Sequence, residues 1–287
     1  MAITARYIAA QHVSRRAGQL AHNLFANRRA LIAVERPSDD YVTHAARAIS
    51  AQVVAKLAAA FPADVFVDEE HALTSDPERL WTVEAIAGRR NFTRGIPFYA
   101  ISIAYAERGS CEAAIIYDPE RDEMFHALRD QGAWCEHAGH ENRLEVAPCR
   151  TLGQALISVG LDERAPDPAA LPVRRELIDA GADARLFGAP ALELAQVAAG
   201  RLDGFVGLGL NPLELMGALL LVEEAGGHVS HNPAAGGIRD DLPMVGCAPA
   251  IARALANING MWAAEFAVEY PFEQESQAGG RDRMRAA

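Results

Sequence analysis

Apolar residues recur at helical spacing between residues 4 and 33 (Ile8, Val13, Leu20, Leu24), with Arg15, Arg16, Arg28 and Arg29 on the other side. A polar turn from Glu35 to Asp40 separates this helix from a second, expected over residues 40–60 through Val42, Ala46, Ile49, Val53 and Leu57 and closed by Phe61-Pro62. Val65-Phe66-Val67 is a short β run that delivers the acidic triplet Asp68-Glu69-Glu70. Leu80, Trp81 and Val83 then surround Glu84 in what reads as a buried strand. That strand breaks at Ala87-Gly88, and the chain continues through Asn91-Phe92 into a Gly-Ile-Pro-Phe turn.

From residue 98 to 134 the period changes to that of strands, expected at Tyr99–Ala106, Glu112–Tyr117, Glu123–Leu128 and Gly132–Cys135. Arg108-Gly109, Asp118-Pro119 and Asp130-Gln131-Gly132 supply turn chemistry between them, so the strands form an antiparallel meander. Residues 137–152 read as a polar loop with a strand at Arg143–Val146, and the boundary between two halves is placed there. Beyond it strands and helices alternate: strands at Ala155–Val159, Arg185–Phe187, Gly204–Val206, His228–Ser230 and Met244–Gly246, helices over 168–180, 190–199, 212–225 and 248–259. This order predicts an α+β half over residues 1–150, an α/β half over 151–270 with helices packed on a sheet, and a polar, disordered tail over 271–287.

Composition narrows the function classes. Half the residues are hydrophobic, 23% are charged and the net charge is -11, which argues against a nucleic-acid partner held through phosphate neutralisation. Arg89, Arg90 and Arg94 still form a local basic cluster, and Lys56 is the only lysine. Cys111, Cys135, Cys149 and Cys247 are scattered without a C-x-x-C pair, which disfavours zinc and suits reduced thiols. With no apolar run long enough to span a membrane and no leader-like N-terminus, the expected location is the cytoplasm.

A carboxylate at a strand end followed by a Gly turn can present metal ligands and backbone N–H groups to a phosphate. The stretch Trp81–Phe92 is similar to the signature W-x-x-D-P-[IL]-D-G-[ST]-x-N-[FY] of the inositol monophosphatase family, matching at Trp81, Ile86, Gly88, Asn91 and Phe92. Three more stretches stand in the same order. Asp40–Ala46 resembles D-x-V-T-x-x-D, with Ala46 in place of the final Asp, and Val67–Glu70 resembles G-E-E. Leu210–Ala218, running on to Glu223-Glu224-Ala225-Gly226-Gly227, resembles L-x-P-W-D-x-A-A-G…E-A-G-G, with Leu213 for the Trp and Glu214 for the Asp. Gly200–Phe205 is similar to the G-x-x-D-G-[YF] that precedes it.

The resemblance implies a layered αβαβα sugar-phosphatase-like fold, a homodimer, and Mg²⁺-dependent hydrolysis of a small sugar or inositol monophosphate. In such chemistry metal ions bridge the ester, neutralise its charge and lower the pKa of an attacking water. Carried over by position, the metal ligands are Glu69, Glu84, the Ile86 carbonyl and Glu214; Gly88, Arg89 and Arg90 hold the phosphate; Glu69, Glu84 and Arg89 act in catalysis. The chain departs from the pattern where it matters most. Ala87 replaces an acid needed by the second ion, Arg89 replaces the hydroxyl residue after the Gly, and glutamates at 84 and 214 displace their carboxylates by about 1 Å, enough to cost on the order of 100-fold. One Mg²⁺ position survives on this reading, or none. The alternative reading is a catalytically impaired member that binds an anionic ligand or a protein partner, with Arg89 or Arg90 replacing a lost cation; a third is a repurposed enzyme acting differently on such a metabolite. The Pro212 and Glu214 positions after Asn211 equally fit a helix N-cap with no metal. His44, His71, His126 and His228 show no ligand spacing.

Overall fold

Two long helices open the chain, α1 (Ala2–Glu35) and α2 (Ser38–Ala60), and lie together across one face of a seven-stranded sheet. The computed structural model describes residues 2–35, 38–68, 77–161, 170–230 and 244–258. The first sheet runs in sequence order: β1 (Val65–Val67), β2 (Arg79–Ala87), β3 (Ala100–Glu107), β4 (Ser110–Asp118), β5 (Glu123–Leu128), β6 (Ala133–His137) and β7 (His140–Arg143). Only the β1–β2 pair is parallel, and β2 to β7 form the expected antiparallel meander. Between β2 and β3 lies a short helix, α3 (Arg89–Arg94).

The second sheet has five strands in the order β11-β12-β10-β8-β9, with β8 (Leu156–Leu161), β9 (Asp183–Arg185), β10 (Gly204–Leu208), β11 (His228–Val229) and β12 (Met244–Cys247). Its helices are α4 (Ala170–Asp179), α5 (Pro190–Ala198), α6 (Pro212–Glu224) and α7 (Ala252–Ala256).

Three cores show why five layers form. Trp81, Val83, Ile101, Ile103, Tyr105 and Ile115 on one face of the first sheet bury against Ala17, Phe25, Ile49, Val53 and Leu57 of α1 and α2. Leu80, Ala87, Ala104, Ala114 and Phe125 on the opposite face bury against Leu192, Leu194, Met216 and Leu220 of α5 and α6, with Phe205 and Met244 of the second sheet closing that layer. Ile157, Val159, Val206 and Val245 on the far face bury against Val173 and Leu177 of α4 and Leu255 of α7. The layered αβαβα arrangement is therefore the alternation of side chains along each strand, read three times. The central layer is tight. At Gly217 of α6 an added Cβ would stand 3.0 Å from the Ala104 Cβ and 3.3 Å from the Ala114 Cβ.

Several boundaries differ from expectation for identifiable reasons. The strand expected at Arg143–Val146 lies earlier, at β7, because Ala138 and Gly139 both take positive φ (51° and 76°) and close a tight hairpin after β6. The strand expected at Arg185–Phe187 ends at Arg185, and Gly188 then takes a φ of 74°. The helix expected over 248–259 divides into a 3-10 turn at Pro249–Ile251 and the short α7; residue 259 and the tail over 271–287 lie outside the described residues. Among the described residues no helix is long and apolar enough to cross a membrane.

Candidate functional site

The junction between β2 and α3 is shaped by two departures from regular structure. In β2, Glu84 pairs with Ser102 and Ala87 with Ala100, so Ala85 and Ile86 together face the single residue Ile101. This bulge takes Ala85 and Ile86 out of the regular register and resets the alternation. Leu80 and Ala87 consequently belong to the α5–α6 side of the sheet, while Trp81, Val83, Ala85 and Ile86 belong to the α1–α2 side. Gly88 then turns the chain with φ 100°, a left-handed conformation that a side chain would strain. An added Cβ there would also lie 2.9 Å from the Ala189 Cβ and 3.2 Å from the Gly188 carbonyl oxygen.

A helix follows where the sequence suggested only a loop. The Phe92 N–H donates to the Gly88 carbonyl at 3.0 Å, and α3 ends in a Schellman arrangement, with the Gly95 N–H on the Phe92 oxygen (3.2 Å) and the Ile96 N–H on the Asn91 oxygen (2.8 Å). Glycines at both ends, at φ 100° and 79°, let so short a helix start and stop. The Asn-Phe of the motif is structural. Asn91 Nδ2 donates to the Phe98 carbonyl at 2.9 Å and the Phe187 carbonyl at 2.7 Å, tying the loop to the second half of the chain. Phe92 is fully buried between Phe25 (ring centroids 5.5 Å) and Tyr99 (5.0 Å).

Trp81, the first residue of the motif, is likewise an anchor. Its indole Nε1 donates to Asp64 at 3.0 Å, and Asp64 also accepts two bonds from Arg6, at 2.7 and 2.8 Å. Burial pushes the Asp64 carboxyl up, but the Arg6 guanidinium and the indole N–H outweigh it and hold the group below its ordinary value. Glu224, in the C-terminal motif, grips the β5–β6 turn by accepting from the N–H groups of Asp130 (2.8 Å) and Gly132 (2.7 Å), while Glu223 pairs with Arg129 at 3.4 Å.

The sequence-derived site residues fall as follows. Glu84 is half-buried in β2, Gly88 is buried, Arg89 is half-buried and Arg90 exposed at the start of α3. Glu214 lies half-buried in the first turn of α6, and α6 packs against β2, so the structure brings Glu214 to the side of the sheet that Ala87 faces. Glu69 and His71 lie outside the described residues. Asn211 does cap α6, its Oδ1 accepting from the Leu213 N–H at 3.0 Å with Pro212 in the first helical position. His126 is a core residue: it is hydrogen-bonded to the Tyr7 hydroxyl, and burial lowers its pKa to about 4.

A two-ion metal centre does not fit these residues. Ala87 and Ala46, at the positions of two family acids, are both fully buried among hydrophobic side chains. Among the described residues no group of three or more His, Cys, Asp or Glu is placed to hold a metal.

Sequence reasoning passed over Glu193. It lies in α5 with no exposed surface, and its Oε1 accepts from the Ala189 N–H at 2.9 Å. Burial pushes its carboxyl up to about 7, against the opposing pull of the Ala189 N–H. Neither Glu193 Oε2 nor Ser158 Oγ, both buried, completes a hydrogen bond among the described residues. One acid inside Pro-Ala-Leu-Glu-Leu-Ala, an otherwise apolar helix, was the available signal.

Comparison with known proteins agrees with the layered fold. The profile of the inositol monophosphatase family matches residues 4–256. Nus factor SuhB of Escherichia coli K12 is 34% identical over 225 residues, covering 77% of this chain and 83% of the relative. The Pseudomonas aeruginosa Nus factor SuhB is 34% identical over 229 residues, with the same coverage. Among solved structures, the extragenic suppressor protein suhB of Bartonella henselae superposes with a TM-score of 0.72 at 29% identity, covering 89% of this chain and 98% of its own. The inositol monophosphatase of Anabaena superposes with a TM-score of 0.76 at 24% identity, covering 91% and 97%.

Proposed function

We propose that this chain, which belongs to the inositol monophosphatase family, binds a small phosphorylated metabolite at the β2–α3 junction without two-metal hydrolysis. The observation that carries this reading is the fully buried Ala87 methyl. It stands in an apolar core at the position where the family signature carries a carboxylate, so the second ion has lost that ligand. What supports anion binding is the part of the signature that is kept, the left-handed Gly88 that turns the chain from β2 into α3. Arg89 and Arg90 follow directly and are the side chains assigned to the phosphate, for which guanidinium geometry suits bidentate contact. The 34%-identical relatives carry the name Nus factor rather than that of a phosphatase.

The bulge at Ala85–Ile86 favours a second reading. A bulge there can free a carbonyl for a metal, so that Glu84, the Ile86 carbonyl and Glu69 would hold a single Mg²⁺, with Glu214 assisting. Such an ion would supply charge neutralisation to the bound ester. Calorimetry with inorganic phosphate and with inositol and sugar monophosphates, in Mg²⁺ and in chelator, separates the two. Metal-independent binding without phosphate release is expected; chelator-sensitive release would establish the one-ion phosphatase instead. The family resemblance also carries a homodimer to this chain, and its scattered cysteines suit a cytoplasmic location.

A further inference from the structure

The candidate phosphate loop does not stand alone: its back wall is the connection between β9 and α5. Gly88 sits against Gly188 and Ala189, so closely that even a methyl group would collide with both. Asn91, three residues into the loop, donates to the carbonyl of Phe187 at 2.7 Å. Phe187 is further fixed by its ring, packed on Phe98 at 5.2 Å, but Gly188 takes a left-handed φ of 74° and Ala189 offers no capping side chain, so neither fixes its own backbone. What holds them is a side chain one turn further on. Glu193 reaches back from α5 and accepts the Ala189 N–H at 2.9 Å, while the Glu193 N–H donates to the Ala189 carbonyl at 2.9 Å. Both ends of residue 189 are thus tied to residue 193.

We infer that Glu193 is a positioning residue for the β2–α3 anion site, acting through the 187–189 backbone on Gly88 and Asn91. This rests on the reading of that loop as the phosphate site. A buried carboxyl is an expensive way to cap a helix whose neighbours in this core are apolar, and a merely structural cap is available from Ser, Thr, Asp or Asn at residue 189 itself. Placing the acceptor at 193 leaves residue 189 small beside Gly88, where a Cβ added to Gly88 would already stand 2.9 Å from the Ala189 methyl. The position of the acceptor follows from the closeness of the two loops.

The test compares the full chain with Glu193→Ala and Glu193→Gln, in two measurements: amide hydrogen exchange across 88–92 and 187–189, and calorimetric affinity for inorganic phosphate. In Glu193→Ala the amides of 88–92 should exchange about tenfold faster, with α1 and the first sheet unchanged, and phosphate should bind about tenfold more weakly. Glu193→Gln keeps an acceptor for the Ala189 N–H and should return both values to within about threefold of the parent. Unchanged exchange at 88–92 in a folded Glu193→Ala protein would overturn the inference, as would a Gln variant that behaves like the Ala variant. Should Glu193→Ala fail to fold, Glu193→Asp, one methylene too short to reach residue 189, takes its place with the same expectations. If the parent protein binds no phosphate, the functional reading fails by itself, and the exchange measurement still decides the role of Glu193.

Discussion

A methyl group at residue 87 changes what the β2–α3 junction can hold, and its burial makes the change measurable without any assay of turnover. An Asp placed there would be an unpaired carboxylate in an apolar core, a costly arrangement unless a cation accompanies it. Ala87→Asp should therefore lower the melting temperature in chelator and regain much of the loss in millimolar Mg²⁺, because a ligand that binds only the folded state stabilises it by mass action. The unsubstituted chain should melt at the same temperature in both. An equal Mg²⁺ shift in both proteins, read by calorimetry, would favour the one-ion reading. Combining Ala87→Asp with Arg89→Thr should raise phosphate release above that of the parent. Glu193 gives a second test at this scale. Its folded pKa, about 7, lies above the ordinary 4.5, so the stability it contributes is fully present below about pH 4.5 and is lost as pH rises through 7. Glu193→Gln mimics the protonated form and should gain on the parent by about 3 kcal/mol between pH 5 and pH 8. Denaturant melts that track each other across that range would refute the shift.

Among the elements, α1, β1 and β2 are joined by a buried polar network rather than by apolar packing alone. Asp64, just before β1, accepts from Arg6 of α1 and from Trp81 of β2, and the Arg6 guanidinium stacks 4.7 Å above Phe61 and 4.9 Å from Tyr105. Asp64→Ala would strand a buried guanidinium and an indole N–H, and should cost about 3–5 kcal/mol in urea unfolding. A loss below about 1 kcal/mol would mean that water replaces the carboxylate, as at a surface pair. The elements themselves were mostly legible, because helical and alternating periods survive in α1, α2 and β2 to β6. Apart from the 3-10 turn at Pro249–Ile251, those misread turn on glycines. Gly88 and Gly95 look like loop residues although they bracket α3, and Ala138-Gly139 closes the β6–β7 hairpin without the Asn or Asp that usually marks such a turn. The Glu223-Glu224 motif was legible as a family trait but not as what it is physically, a grip on the N–H groups of the β5–β6 turn, because its partners are distant in sequence.

For the molecule as a whole, the layer order follows from which face of each strand is apolar, whereas the site depends on how two halves meet, which periodicity does not encode. Gly88 and Ala87 were readable one by one; that Gly188, Ala189 and Glu193 stand behind them was not. The same meeting point leaves apolar surface uncovered. Ile96 and Leu186, each about half exposed, flank the Phe98–Phe187 ring pair (5.2 Å), which joins the loop after α3 to the loop after β9. For the proposed homodimer this patch is one candidate contact, beside the exposed Leu171 and Ile178 of α4. The chain should sediment as a dimer at micromolar concentration, and Leu186→Glu with Ile96→Glu should yield folded monomers. A monomeric parent would remove the contact; a dimer unaffected by both substitutions would move it elsewhere. Because Phe187 also holds Asn91, the contact and the anion site share a backbone segment, and linkage then requires reciprocity. Phosphate should tighten the dimer by the same factor by which dimerisation tightens phosphate, a factor obtained by sedimentation over a dilution series with and without phosphate.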